Sequence, residues 1–218
     1  MKRILIMILL GSHLVQIYSQ ILIDSTAYNT GLTMISSSRK TEDFLKAADY
    51  FHNLSIQKKN EWLAPLYGGL CYILASFHEP DVKQKDLLCD KAQNFLDTAK
   101  LRFADVSELA AIQAFLYQAR IDVSPVERGL EYSQKADAEI RKAEKANPAD
   151  PRPYFLYAMN VYYTPKVFGG GPEKALPLFE EAGEKFDAFV PQFPYMPHWG
   201  KQQNQDMISK CRVETASD

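Results

Sequence analysis

One pattern, repeated four times along the chain, constrains the fold more than any other feature. An alanine is followed four residues later by a bulky apolar residue and, three residues further on, by an alanine or another apolar residue. Spacing of four and then three places these side chains on one face of an α-helix, so each copy forms one packing stripe. The copies are Ala47/Phe51/Leu54, Ala92/Leu96/Ala99, Ala136/Ile140/Ala143 and Ala175/Phe179/Ala182, and their starts are 45, 44 and 39 residues apart.

An aromatic-rich segment precedes each of the last three stripes. Each segment carries a small residue where a neighbouring backbone can approach closely, and these residues, Gly68, Ala114 and Ala158, are 46 and 44 residues apart. Ser124-Pro125 and Asp150-Pro151 are typical helix starts, a capping residue followed by proline. Because both series repeat at nearly the same interval, the sequence predicts pairs of helices stacked into an array.

The order of these segments resembles the tetratricopeptide repeat, whose signature is W-x2-L-G-x2-Y followed by A-x3-F and a proline. The best match runs from Tyr154-x2-Tyr157-Ala158-x2-Val161 to Ala175-x3-Phe179-x2-Ala182. The resemblance implies an all-α solenoid of antiparallel helix pairs. The interval exceeds the usual 34 residues or so. The extra residues lie between the two helices of each pair, which predicts lengthened hairpins.

Longer stretches are similar to a group of exported tetratricopeptide-like proteins from Gram-negative bacteria. They include "EWLAPLYGGLCYI", "FLYQARIDVSPVERGLEYS", "ANPADPRPYFLYAMNVYYTPKVFGGGPEKALPLFEEA" and "PHWGKQ", and the similarity covers roughly residues 40–203. A shorter likeness, in the glycine-rich loop and "EKALPLFEEA", is to the periplasmic T-component of TRAP-type transporters. The first likeness implies an exported protein, and the second implies a role in solute uptake.

The chain begins with features of a secretory signal peptide. A basic start at Lys2 and Arg3 precedes an apolar run from Ile4 to Leu10 and a polar exit near Ser19, as signal peptides do. An uncleaved anchor is the alternative, but the run is far shorter than the roughly 20 residues of a spanning helix. We therefore expect a protein exported to the periplasm, the cell surface or the extracellular space.

The C-terminal part differs from the repeats. Pro191, Pro194 and Pro197 favour an extended segment, and the apolar residues from Trp199 to Cys211 predict a short capping helix, which an open solenoid needs. The predicted organisation is a signal peptide (1–19), a linker (20–40), the repeat domain (41–190), and the extended segment with its cap (191–218).

Charge and cysteine content exclude some classes of function. Loss of Lys2 and Arg3 with the signal peptide leaves 23 basic and 27 acidic residues, a formal charge of −4. A mildly acidic protein lacks the basic surface that nucleic-acid binding requires. Two states are open for the three cysteines, Cys71, Cys89 and Cys211. In one, Cys71 and Cys89 form a disulfide and one thiol remains; in the other, all three are buried thiols.

The glycine run Gly169–Gly171 is the one motif that invites a catalytic interpretation. A phosphate-binding loop ends in Gly-Lys-Ser or Gly-Lys-Thr, whereas Pro172 and Glu173 follow here, removing an amide donor and adding a negative charge. We interpret the run as a flexible insert between two helices, with Phe168 packed against the pair. No histidine lies at metal-ligand spacing, and a Gly-x-Ser-x-Gly elbow is absent. The sequence predicts no catalytic, cofactor-binding or metal-binding residue, hence no cofactor and no enzyme.

The first helices of the pairs are the best candidates for a binding surface. They combine aromatic residues with arginine and amide side chains, a mixture typical of recognition surfaces, although helix-end arginines also cap carbonyls and cover apolar surface. The candidate residues are Tyr117, Arg120, Arg128, Tyr132, Arg152, Asn160 and Tyr163. We expect a non-enzymatic binding or scaffold protein that recognises a protein segment or an envelope component. The alternative is a small-molecule-binding accessory protein of a transport system.

Overall fold

The structure, a computed structural model, describes residues 25–216. Within that range it contains α-helices and one short 3₁₀ turn, without strands, so the predicted all-α class is confirmed. Helix α1 covers residues 25–37. It is followed by α2 (Thr41–Gln57), α3 (Leu63–His78), α4 (Val82–Leu101), α5 (Val106–Val123), α6 (Pro125–Ala146), α7 (Pro151–Tyr163), the 3₁₀ turn (Lys166–Phe168), α8 (Pro172–Ala188) and α9 (Lys201–Thr215).

The helices from α3 onward pack as successive pairs. Helix α3 packs on α4, α5 on α6 and α7 on α8, and α9 packs on α8. The first helices also contact one another, α3 with α5 and α5 with α7, more closely than the second helices do. We call the layer formed by α3, α5 and α7 the inner layer.

The four stripes identified in the sequence are the contacts that hold these pairs together. All twelve stripe residues are buried. The small residues on the inner layer also serve close packing: a Cβ on Gly68 would lie 2.5 Å from the ring of Phe95, and Ala114 and Ala158 are fully buried. The apolar stripes therefore fix which face of each helix points inward.

Two of the three hairpins are shorter than the sequence predicted. Residues 79–81 join α3 to α4, and Ser124 alone joins α5 to α6. The extra residues instead extend the helices, with 20 residues in α4 and 22 in α6. Asp81 is the N-cap of α4 and accepts a hydrogen bond from the amide of Gln84, so the helix begins ten residues before the stripe alanine, Ala92. Neither glycine nor proline interrupts the chain between Asp81 and the stripe. The prediction of lengthened hairpins holds only for residues 164–171, between α7 and α8.

The N-terminal segment also differs from its prediction. The signal peptide of residues 1–19 lies outside the described residues, but the expected linker of residues 20–40 is helical over residues 25–37. Tyr28 anchors this helix, because it is buried with its ring 6.5 Å from that of Phe51 and 6.3 Å from that of Tyr67. Helix α1 thus belongs to the packed array.

The glycine run forms a hydrogen-bonded turn of defined conformation, not the flexible insert that we expected. Gly169 and Gly171 have φ values of 87° and 98°, which favour glycine. Their amides and that of Gly170 donate to the carbonyls of Lys166, Val161 and Pro165, respectively. Because all three amides are bonded to backbone carbonyls of the turn or of α7, they are not available to bind phosphate. Phe168 is 78% exposed, so the expectation that it packs against the helices was wrong.

A second special turn ends α4. Phe103 has a φ of 60°, and it is the one residue other than glycine with positive φ among residues 25–216. Its amide donates to the carbonyl of Lys100 and the next amide donates to that of Ala99, which is the Schellman arrangement that normally has glycine at this position. The left-handed conformation costs a residue with a side chain about 1–2 kcal/mol.

The glycine turn leads to a stability prediction. A Cβ on Gly170 would lie 2.1 Å from the carbonyl oxygen of Thr164, so Gly170→Ala should lower the free energy of unfolding by about 1–3 kcal/mol, as overpacking does. The control is Gly129→Ala, inside α6, where an added Cβ meets nothing within 4 Å. That change should raise stability by about 0.5–1 kcal/mol. Urea unfolding followed by circular dichroism measures both, and equal effects would contradict the assigned turn.

Candidate functional site

The segment between α8 and α9 crosses the inner layer. Residues 189–200 have no regular secondary structure. The hydroxyl of Tyr67 on α3 donates a hydrogen bond of 2.8 Å to the carbonyl of Tyr195. The ring of Tyr195 stacks on that of Tyr28, with 4.8 Å between their centroids. The chain's own C-terminal segment thus covers the N-terminal part of the surface on which we expected a partner.

Three stacked rings continue this surface toward α5 and α7. Phe77 of α3 stacks on Phe115 of α5 at 5.3 Å, and Phe115 stacks on Trp199 at 5.1 Å with 18° between the ring planes. We call Phe77, Phe115 and Trp199 the aromatic stack. Phe77 is 38% exposed, and the other two rings are half-buried. Because near-parallel stacking covers the ring faces between neighbours, the stack presents ring edges and the partly exposed Phe77 ring, an apolar surface on which an apolar ligand can pack.

Two histidines are sequence neighbours of stack residues, His198 of Trp199 and His78 of Phe77. The Nδ1 atom of His198 lies 2.7 Å from the carbonyl oxygen of Met196. Since a carbonyl only accepts, Nδ1 donates this hydrogen bond, and in the corresponding neutral tautomer Nε2 carries the lone pair that can accept a hydrogen bond or bind a metal. The indole nitrogen of Trp199 is buried without a hydrogen-bond partner in the described structure. His78, next to Phe77, stacks on Phe44 at 5.0 Å.

A buried cluster of charged residues contacts the Trp199 ring of the stack. The Arg152 guanidinium, fully buried at the start of α7, donates to both carboxylate oxygens of Glu108 on α5 and to both of Asp150. Its central carbon lies 5.8 Å from the centroid of the Trp199 ring. Burial raises the pKa of Glu108, and the Arg152 charge opposes that rise. Because its donors are occupied, Arg152 positions α5, α7 and Trp199 and does not itself reach a ligand.

The other predicted binding residues also make contacts within the chain. Arg120 and Arg128 both bind Asp86 of α4, at 2.5 and 2.8 Å. Tyr117 packs against Tyr132 between α5 and α6, with ring centroids 5.9 Å apart.

The last two predicted residues lie on α7. Asn160 accepts from Gln118 and donates to Asp137, each at 2.7 Å, whereas Tyr163 is largely exposed and lies edge-on to Tyr162. The predicted residues thus contact other side chains of the same protein, and they do not converge on one site. The sequence analysis missed Phe77, His198 and Trp199, and the "PHW" tripeptide, residues 197–199, was the available signal for the last two.

The three cysteines are free thiols in the structure. Cys71, Cys89 and Cys211 are buried and unpaired, which corresponds to the second of the two alternatives left open by the sequence. Burial raises the pKa of Cys71 and of Cys89. A thiol held in its protonated form is a poor nucleophile, so these residues act as small apolar side chains.

Two cavities lie near the C-terminal cap, and no ring of the aromatic stack lines either of them. One, of about 430 Å³, lies between α8 and α9 and is flanked by the ion pairs Glu180–Arg212 and Asp187–Lys201. The other, of about 290 Å³, is lined by residues that include Asn147, Lys185 and Met196. Over residues 25–216 no group of three or more histidine, cysteine or acidic side chains is placed to hold a metal ion. In the same part of the chain, no helix combines the length and apolarity needed to cross a bilayer.

Comparison with solved structures reveals a protein of similar fold and sequence. The HusA haemophore from Porphyromonas gingivalis matches with a TM-score of 0.76 and 34% sequence identity, over 86% of this chain and 92% of that chain. No protein-family model and no curated protein matches this chain. The likeness is to an all-helical, haemophore-type binding protein, and the tetratricopeptide assignment stays a prediction.

The buried cluster leads to a second stability prediction. Arg152→Met leaves two buried carboxylates without their counter-charge, and such a change costs about 3–5 kcal/mol of the free energy of unfolding. The matched control is Arg212→Met, which removes an exposed ion pair with Glu180 and should cost less than about 1 kcal/mol. Urea unfolding measures both. Glu108→Gln provides a milder variant should Arg152→Met not fold, and losses no greater than in the control would contradict a structural role.

The Asp86 pair leads to a prediction about acid. Hydrogen bonds from Arg128 and Arg120 hold the pKa of Asp86 at about 2, below its ordinary 3.8, although partial burial acts in the opposite direction. A lowered folded-state pKa stabilises the protein above the ordinary value, and that stabilisation is lost as the pH falls from about 4 to about 2. The Asp86→Asn variant lacks it, so its unfolding free energy should decline less over this range. Parallel curves for wild type and variant would contradict the assignment.

Proposed function

Because the chain belongs to the same protein family as the HusA haemophore, we propose that it is an exported, non-enzymatic protein that binds haem or a closely related tetrapyrrole. The observation that carries this proposal is 34% identity over 92% of the haemophore chain. The proposal is a specific form of the small-molecule binder that the sequence left as the alternative function.

The aromatic stack supports the proposal chemically. A tetrapyrrole is a large, planar and mostly apolar ring, and its removal from water gains about 25 cal/mol for each Å² of apolar surface buried. Phe77 and Phe115 lie on rigid helices, and Trp199 is held between Phe115 and Arg152. A preformed apolar surface needs little ordering when the ligand binds, which lowers the free-energy cost of binding.

His198 is the residue that we assign to the iron. The hydrogen bond from Nδ1 to the carbonyl of Met196 favours the neutral tautomer with its lone pair on Nε2, and the neutral imidazole is the commonest protein ligand of metals. The residue is exposed and directly precedes Trp199. We propose that Trp199 and the two phenylalanines would hold the tetrapyrrole ring and that His198 would hold its iron.

The scaffold function is less well supported by the structure. A repeat array that binds a peptide uses an open concave surface, whereas here Tyr195 is hydrogen-bonded to Tyr67 and stacked on Tyr28. The chain's own segment occupies that part of the inner layer. The proposed ligand needs only the exposed side of the aromatic stack.

A haem titration tests the proposal. Haem added to the purified protein should produce a shifted Soret band, and in a Trp62→Phe variant, which leaves Trp199 as the remaining tryptophan, it should quench the tryptophan fluorescence. Phe77→Ala should weaken binding at least about tenfold, because it removes a large apolar contact. His198→Ala should change the position of the Soret band more than the affinity.

The matched control is Phe168→Ala, which alters a phenylalanine outside the stack that is 78% exposed, against 38% for Phe77. It should bind haem as the wild type does. A wild-type protein without a shifted Soret band at excess haem would refute the proposed function. Unchanged affinity in Phe77→Ala would refute the proposed site while leaving the function intact.

A further inference from the structure

A turn at one end of the array projects apolar side chains into solvent. In the turn between α4 and α5, Leu101 is 81% exposed, Phe103 93% and Val106 53%. Ile56, near the end of α2, is 51% exposed. We call these four residues the apolar tip.

The neighbouring turn fixes the position of the tip. One guanidinium nitrogen of Arg102 lies within 3.3 Å of the carbonyl oxygens of Ser55, Lys58 and Glu61, at the end of α2 and the start of the next turn. The Schellman hydrogen bonds described above hold the backbone of Phe103 itself. The exposed side chains therefore project from a supported turn.

Neither the backbone nor the core accounts for a phenylalanine at position 103. Its positive φ favours glycine, and its ring touches little of the protein, being 93% exposed. A bulky residue in an unfavourable backbone conformation is often found where it serves a function. An exposed cluster of apolar side chains commonly marks an interaction surface.

Three lysines flank the tip. Lys100 lies in the last turn of α4, and Lys59 lies in the turn that follows α2. Lys145 lies in the last turn of α6, two residues after Ala143, whose carbonyl accepts a hydrogen bond from the hydroxyl of Ser107 at the start of α5. All three lysines are exposed, and in the described structure none forms an ion pair. The nearby Asp105 carboxylate is engaged with the first amides of α5.

We propose that the apolar tip docks on an anionic lipid bilayer. Phe103 and Leu101 would insert at the boundary between headgroups and acyl chains, and the lysines would face the lipid phosphates. Apolar insertion combined with attraction to anionic lipid is the usual basis of reversible surface binding. A protruding tip with a rim of lysines suits a soft, negatively charged surface. This inference does not depend on the proposed function, since the tip contains no residue of the aromatic stack.

Vesicle binding tests the inference. The wild-type full chain should sediment with vesicles of phosphatidylcholine and phosphatidylglycerol in equal parts, bind poorly to phosphatidylcholine alone, and be released by salt. Phe103→Gly should lower the partition coefficient at least about tenfold, because a phenylalanine no longer inserts. Its melting temperature should be unchanged or higher, since glycine is favoured at this φ. Phe168→Ala, at the opposite end of the helices, is the matched control and should bind vesicles normally.

Four outcomes would overturn the inference. They are absence of wild-type binding to the mixed vesicles, equal binding by Phe103→Gly, a comparable loss in Phe168→Ala, and a marked fall in the stability of Phe103→Gly. Sedimentation velocity without lipid distinguishes lipid docking from self-association. A wild-type dimer that Phe103→Gly converts to a monomer would show that the tip is a contact between two copies of the chain. Haem titration of Phe103→Gly keeps the proposals separate, because haem binding should be unaffected.

Discussion

The buried contact between Arg152 and its two carboxylates is the constraint on which the inner layer depends. A guanidinium without solvent contact is tolerated only when charged partners and hydrogen bonds replace water. Here Glu108 comes from α5, Asp150 precedes α7, and Asp150 also caps α7 by accepting from the amide of Arg152. The cluster therefore fixes the relative position of two helix pairs, and the Trp199 ring lies over the same guanidinium. Placement of the aromatic stack follows from this one charged contact.

The predicted arginines do not form the candidate site because their side chains pair with carboxylates inside the chain, whereas the aromatic rings lie at the surface. Arg120 and Arg128 share Asp86 and tie α4, α5 and α6 together. Such side chains have satisfied partners and contribute to packing, whereas rings at the surface remain available.

The periodic spacing of apolar residues predicted the positions of the helices and their buried faces. The stripe Ala92/Leu96/Ala99 identified α4 and its buried face, because spacing of four and three has one meaning on a helix. Helix α1 was missed because its anchor, Tyr28, is defined by contacts with Phe51, Tyr67 and Tyr195. The candidate site was missed for the same reason: Phe77, Phe115 and Trp199 belong to three separate segments, and only tertiary packing brings their rings together.

The hydrogen bond from Tyr67 to Tyr195 joins residues 128 positions apart, and this separation bears on the order in which the protein folds. In most repeat arrays each unit contacts only its neighbours, so folding proceeds outward from any point. Here the surface of α1 and α3 acquires its last contacts from a segment near the C-terminus. Contacts between such distant residues slow folding. A chain emerging with its N-terminus first would keep Tyr28 and Tyr67 incompletely covered until residue 195 had followed, so the final state is reached as a whole and not repeat by repeat.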